Sequence, residues 1–203
     1  MKIFMISGSR NREGRTAGAM KALGTGIEKA GGEWESVFLT EQNIERCRQC
    51  DADGWGECRR EGKCIIEDDF DSIVEKIRTA DALVFANPVY FGDLSESMRA
   101  FLDRLRRISR RPGPPPQAGS TPPRPGAPMM PVEGATPAIG VCLSGGGGGN
   151  APMCCVSLER VLQTCGFDVV DMIPLRRQNF EHKLAVLELT GEWLVSKPTS
   201  SGG

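Results

Sequence analysis

Residues 82–95 read Ala82-Leu83-Val84-Phe85-Ala86-Asn87-Pro88-Val89-Tyr90-Phe91-Gly92-Asp93-Leu94-Ser95, and they decide the fold class. Ala82 to Ala86 is apolar at every position, as a strand buried on both faces must be; a strand with one face in water would alternate. Asn87 to Ser95 follows as a loop. Ser95 then caps a helix whose inward residues are Met98, Phe101, Leu102 and Leu105, apolar side chains three and four apart. A strand covered on both sides and followed by an amphipathic helix is one unit of a parallel sheet between two helical layers.

The unit recurs in both directions along the chain. Lys2–Ser7 is an apolar strand that runs into a Gly/Ser/Arg loop, and Thr16 to Ala30 carries Ala19, Met20, Leu23 and Ile27 at helical spacing. Glu33 to Leu39 alternates, with Trp34, Ser36 and Phe38 on one face, and reads as a strand. Asp68 and Asp69 can cap a helix with the stripe Phe70, Ile73, Val74, Ile77. Later come a buried strand from Pro137 to Leu143, a helix from Pro152 to Cys165 with Gly166 as its C-cap, a fifth strand from Phe167 to Ile173, and a closing helix from Glu181 to Val195 bearing Leu184, Leu187 and Trp193. Between them, residues 107–137 hold ten of the 14 prolines; such a run builds neither helix nor ladder, and it reads as an excursion from the fold. The expected organisation is one α/β domain over 1–196, with a cysteine-rich loop at 43–67, the Pro-rich insertion at 107–137, and a polar tail at 197–203.

Composition narrows the function classes. The chain has 203 residues, 25 Lys plus Arg against 26 Asp plus Glu, and a net charge of -1, which argues against a nucleic-acid or membrane-surface binder. No stretch approaches the ~18 apolar residues of a membrane span, and the first residues lack the pattern of a signal peptide. The reading is a cytoplasmic protein. In that reducing setting the 8 cysteines suit metal ligands, redox groups or core residues better than disulfides.

In parallel sheets of this kind ligands bind beyond the carboxyl ends of the strands, so the loops there matter most. Ser7-Gly8-Ser9-Arg10-Asn11-Arg12-Glu13-Gly14-Arg15-Thr16 joins a strand to a helix with small and donor residues, an anion site suited to one phosphate. It matches neither the dinucleotide fingerprint nor the phosphate loop that ends in Gly-Lys-Ser/Thr. Asn87 to Ser95 sets the chain's 1 Tyr, Tyr90, beside Phe91 and Gly92, where a planar ring could lie on exposed backbone against an aromatic wall. Ser144 followed by Gly145 to Gly149 offers backbone N–H and C=O groups with almost no side chains in the way.

Asn87-Pro-Val-Tyr-Phe-Gly92 followed by Met98-Arg-Ala-Phe-Leu-Asp-Arg104, together with these loops, resembles the flavodoxin-like NAD(P)H-dependent FMN reductases and the related iron–sulfur flavoproteins. The likeness runs from Met1 to about Arg106 and from Ala138 to the last helix. It implies a three-layer sandwich around a five-stranded parallel sheet of order 2-1-3-4-5, with FMN as cofactor and NAD(P)H as co-substrate. Electrons would pass to a small acceptor (quinone, flavin or metal) or to a redox protein. It also implies a homodimer or homotetramer. Ser7, Ser9, Arg10, Asn11, Arg15 and Thr16 would hold the FMN phosphate, Pro88, Val89, Tyr90, Phe91 and Gly92 would line the flavin ring, and Ser144, Gly145, Gly146 and Gly147 would meet its pyrimidine edge. Arg15 stands where Asn is common in the family. No residue is assigned a catalytic role, because the flavin carries the chemistry.

Cys47-x2-Cys50-x7-Cys58-x5-Cys64 gathers four thiols ahead of a helix. In iron–sulfur flavoproteins a compact run at this place holds a 4Fe-4S cluster, and the wider gap here, with Asp53-Gly54-Trp55-Gly56 inside it, departs from that run. Three readings stay open for Cys47, Cys50, Cys58 and Cys64: an iron–sulfur cluster, structural zinc, or reduced thiols. With a cluster the chain would be a one-electron carrier docking to a protein, and with zinc and no flavin it would be a non-enzymatic interaction module. Cys142, Cys154, Cys155 and Cys165 read as core. His182 reads as solvated. The arginines at 99, 104, 106, 107, 110 and 111 read as a solvated basic face, with recognition of the extra phosphate of NADPH or of an acidic protein as the sharper alternative.

Overall fold

The computed structural model describes residues 1–52, 54–109 and 135–196. Five strands, β1 (Lys2–Ser7), β2 (Glu33–Phe38), β3 (Ala82–Pro88), β4 (Pro137–Ser144) and β5 (Asp168–Arg176), form one sheet. Its order is β2-β1-β3-β4-β5 and every neighbouring pair is parallel, the flavodoxin-like order. The helices are α1 (Arg15–Lys29), α2 (Glu57–Arg60), α3 (Phe70–Thr79), α4 (Glu96–Ser109), α5 (Ala151–Thr164) and α6 (Phe180–Ser196).

The apolar pattern dictates the layering. β3 is buried from Ala82 to Pro88, and alternate residues feed two separate cores. Leu83 and Phe85 join Phe70, Phe101, Leu105 and Leu158 under α3, α4 and α5. Ala82, Val84 and Ala86 join Met20, Leu23, Leu187 and Leu194 under α1 and α6. Each fully buried aliphatic or aromatic side chain contributes ~1.5–3 kcal/mol, so both faces are needed to hold the sheet.

Several local expectations shift. The fifth strand runs on to Arg176 and includes Pro174, which an edge strand tolerates because the missing N–H faces outward. Trp193 is not inward: it is 43 % exposed, and Gly191 and Leu194 face the core instead. The stretch 107–137 is not an excursion throughout, since Arg107 to Ser109 continue α4 and Pro137 opens β4; residues 110–134 and the tail 197–203 lie outside the described residues. The cysteine loop contains the short helix α2. Ser95 caps α4 as expected, its Oγ accepting the Met98 N–H at 3.4 Å. α3 starts differently: Asp68 Oδ1 accepts the Phe70 N–H at 3.1 Å, whereas Asp69 turns away to accept the Asn43 N–H at 2.7 Å. Gly166 closes α5 at φ +87° as expected of a C-terminal glycine.

Candidate functional site

Three loops meet at the carboxyl edge of β1, β3 and β4. The Gly8 N–H donates to the Ala86 carbonyl at 2.9 Å and the Val89 N–H to the Leu143 carbonyl at 2.8 Å, so backbone hydrogen bonds tie each loop to its neighbour. In the first loop the hydroxyls are used internally. Ser7 Oγ accepts the Ser9 N–H, Ser9 Oγ accepts the Asn11 N–H, both at 3.2 Å, and Asn11 Oδ1 accepts the Glu13 N–H at 2.9 Å. These bonds shape the loop and bury Ser7, Ser9 and Thr16, while Arg10, Asn11 and Arg15 stay exposed. The N-terminus of α1 has no side-chain cap and no acidic residue in its first turn, so no side chain of that turn satisfies its N–H groups or offsets the positive end of its dipole.

The second loop makes a tight turn. Tyr90 N–H donates to the Asp93 carbonyl at 3.0 Å and Asp93 N–H to the Tyr90 carbonyl at 2.9 Å. Phe91 and Gly92 at its centre have φ +52° and +80°, the left-handed pair that a type I′ turn demands. A non-glycine residue there is uncommon, and here it projects Phe91 fully into solvent beside Tyr90 at 44 % exposure. The two aromatics therefore do not fill core. In the third loop Gly145, Gly146 and Gly147 are exposed, and a Cβ on any of them would meet nothing within 4 Å. Pro88 and Ser144 are buried at the strand ends.

An open cleft of about 1210 Å³ lies between the first two loops, lined by Gly8, Arg10, Thr40, Arg46, Tyr90, Phe91, Ser97 and Arg99 among others. Arg99 belongs to the arginine run noted in the sequence; Thr40, Arg46 and Ser97 were not singled out, because each comes from a different segment and none belongs to a motif. Asn87 organises the floor: its Oδ1 accepts from the Ser95 N–H and Oγ–H, both at 3.0 Å, and Ser97 Oγ donates to the Gly8 carbonyl at 3.1 Å. The quoted Asn87-Pro88 pair and the cap at Ser95 were the legible signals for it.

The four cysteines of the loop line one cavity, shared with Arg48, Trp55, Glu57, Arg104 and Arg107. Among the described residues, no three His, Cys, Asp or Glu side chains are placed to hold a metal ion as they stand. Burial pushes the Cys58 thiol above its ordinary value; the charge of Arg107 and the Gly56 N–H oppose this, and neighbouring Cys47 and Cys64 add to it. Arg46 lines the cleft and Cys47, the next residue, lines this cavity.

The arginine run is a solvated face only in part: Arg99 is exposed and Arg106 half-buried, but Arg104 and Arg107 are buried. Arg104 is 1 % exposed and Arg107 8 %. Arg104 forms a forked pair with Asp68, at 2.5 and 3.0 Å, and also donates to the Glu45 and Ile66 carbonyls at 3.1 and 3.4 Å. Arg107 stacks on Trp55, its carbon 4.9 Å from the ring centroid, and donates to the Gly54 carbonyl. Arg99 pairs with Asp93 and Arg106 with Asp103; Arg110 and Arg111 lie outside the described residues. His182 is exposed as expected.

Cys142, Cys154, Cys155 and Cys165 are all buried, as expected of core residues. Burial pushes Cys165 up to about 12. Hydrogen bonding with Cys154 and Cys155, with burial, drives Cys142 up as well. Hydrogen bonding to Cys142 pulls Cys154 down instead, but reaction needs access as well as a thiolate, and all four are buried. A disulfide reagent added to the native metal-free chain is therefore expected to modify Cys47, Cys50, Cys58 and Cys64 only, the exposed Cys50 first. Mass spectrometry of the labelled peptides checks this, with the denatured chain as the full count.

No helix among the described residues is long and apolar enough to cross a membrane. Relatives include an iron–sulfur flavoprotein of Methanosarcina thermophila, 37% identical over 114 residues, 55% of this chain and 56% of that protein. Another, from Methanocaldococcus jannaschii, is 35% identical over 108 residues, 53% of each chain. The chain thus spans about half the length of the curated relatives it matches. Its fold is also that of an NAD(P)H:quinone oxidoreductase from Methanothermobacter marburgensis, with a TM-score of 0.64, 20% identity, and 96% of each chain covered. Residues 1–151 match the NADPH-dependent FMN reductase family, and the chain, with its parallel sheet and three loops at one carboxyl edge, belongs to that family.

Proposed function

We propose that the chain binds FMN across the three loops and works as an oxidoreductase, taking hydride from NAD(P)H and passing electrons to a small acceptor or a redox protein. The observation that carries this reading is the uncapped, acid-free start of α1, set beside a bare glycine strip and an exposed aromatic turn. A phosphate, a flat ring and a polar ring edge each meet suitable chemistry there. In this reading Arg10, Asn11, Arg15 and Thr16, with the backbone shaped by Ser7 and Ser9, hold the phosphate. Pro88 to Gly92 flank the ring, and Ser144 to Gly147 offer main-chain groups to its edge. Bound FMN supplies the redox chemistry itself, and the chain supplies binding, orientation and electrostatics.

The test is FMN titration by fluorescence quenching, then anaerobic mixing with NADPH. Stoichiometric binding and rapid bleaching are expected, and a chain that takes up no FMN overturns the reading. Arg15→Ala is expected to weaken FMN about tenfold or more, since a hydrogen bond to a charged group contributes ~1.5–3 kcal/mol. An unchanged dissociation constant removes Arg15 from the phosphate site.

The cysteine cavity favours a second element of the same reading, a 4Fe-4S cluster held by Cys47, Cys50, Cys58 and Cys64. The donor set fits in kind: four thiols line one cavity together with two arginines whose Nε–H groups lack partners. Gly54 and Gly62, at φ +77° and +66°, let the loop draw in. When bound, a cluster supplies one-electron transfer, and the adjacency of Arg46, on the cleft, to Cys47, on the cavity, supports exchange between cluster and flavin. Iron and sulfide assays after anaerobic reconstitution test it; zinc uptake with no flavin would point to an interaction module instead.

A further inference from the structure

Burying a guanidinium is costly unless its N–H groups are satisfied. Arg104 and Arg107 stand one turn apart on α4, so both face the same way, and both line the cysteine cavity. Arg104 spends four hydrogen bonds on Asp68, Glu45 and Ile66, yet its Nε–H has no partner. Arg107 is fixed by the Gly54 carbonyl and the Trp55 ring, and its Nε–H is unpartnered too. These two are the buried side-chain N or O atoms left unsatisfied among the described residues. Arg48 is paired with Glu45 and Arg104 with Asp68, while Arg107 and Glu57 share the lining of the cavity with the four cysteines. Two orphaned guanidinium donors in a cavity lined by four thiols ask for an acceptor there.

We propose that Arg104 and Arg107 are positioning and tuning residues for the iron–sulfur cluster, donating N–H hydrogen bonds to its sulfur atoms and holding its reduction potential up. The inference rests on the cluster reading above. A cluster with four thiolate ligands is anionic and becomes more so when it gains an electron, so donors and cations on its wall stabilise the reduced form more than the oxidised one. The titrated step is the entry of one electron from dithionite, with no bond to carbon or hydrogen made or broken.

The experiment uses the full chain carrying FMN and reconstituted anaerobically with iron and sulfide, its potential read by titration against the electron paramagnetic resonance of the reduced cluster. Arg107→Leu is expected to shift the reduction equilibrium about tenfold toward the oxidised form, about 59 mV for one electron. Arg107→Lys keeps the charge but loses the fixed fork, and is expected to give a smaller drop of the same sign. If Arg107→Leu loses FMN and fails to fold, Arg107→Lys carries the test. Wild-type potential in a cluster-loaded Arg107→Leu, or in Arg107→Lys when Leu does not fold, overturns this inference and leaves the cluster reading standing. A wild-type chain that takes up no iron overturns both.

Discussion

Asp68→Ala is expected to destabilise the protein by ~3–5 kcal/mol, the cost of leaving one member of a buried ion pair uncompensated. Asp68 and Arg104 are each 1 % exposed at the side chain. The carboxylate accepts not only the arginine fork but also the Glu45 N–H at 2.8 Å and the Phe70 N–H at 3.1 Å. One side chain thereby joins the cysteine loop, the start of α3 and the middle of α4. Against a typical domain stability of ~5–15 kcal/mol, this loss is visible in urea denaturation at neutral pH, and faster labelling of Cys64 is expected with it. A midpoint equal to wild type would show that Arg104 is satisfied without the carboxylate.

The same carboxyl gives the effect a pH signature. Burial works against its charge, but Arg104 and the two backbone N–H groups outweigh that and hold it below the usual carboxylate range. The folded state therefore binds its proton less readily than the unfolded chain. Its contribution is complete above the unfolded value of ~3.9 and is lost as pH falls through the depressed native value. Wild type is expected to lose stability below about pH 4 more steeply than Asp68→Asn, which no longer titrates there.

Gly26→Ala is expected to cost about 2–3 kcal/mol, although alanine is the better helix former by ~1 kcal/mol. A methyl group at Gly26 would overlap the Glu188 carbonyl oxygen and stand 3.0 Å from the Glu192 nitrogen; one at Gly191 would overlap the Leu23 carbonyl oxygen and stand 3.1 Å from the Ile27 nitrogen. α1 and α6 thus cross backbone against backbone, and the obstacle is main chain that cannot rotate away, which puts the cost toward the top of the ~1–3 kcal/mol range for overpacking. Gly18→Ala on the same helix is the control. Its methyl would meet only the outer edge of the Phe180 ring at 3.2 Å, so thermal melts should place it close to wild type and Gly26→Ala well below. Equal melting of the two would mean the helices part at little cost.

Much of the fold was legible because it is local. Continuous apolar runs give buried strands, apolar residues three and four apart give helices, and Ser95 and Gly166 mark ends through their own backbone chemistry. The three loops could be located for the same reason, since in a parallel sheet every strand ends at an edge that the next helix leaves. Which loop atoms remain free was not legible: Ser7, Ser9 and Asn11 read as ligand donors, and their polar atoms bond first to the loop itself.

The arginines mark the boundary between the two kinds of information. By itself the sequence determined the strand and helix order, the loops at the sheet edge and the clustering of four thiols, all of them properties of neighbouring residues. Only the tertiary structure decided that Arg104 and Arg107 are buried, that Asp68 answers one of them, and that both face the cysteines. Arginine carries the same charge at every position, and whether it can leave water depends on acceptors brought from segments far along the chain. The crossing at Gly26 and Gly191 has the same origin, because a glycine inside a helix reads as a weakness until another backbone is found lying against it.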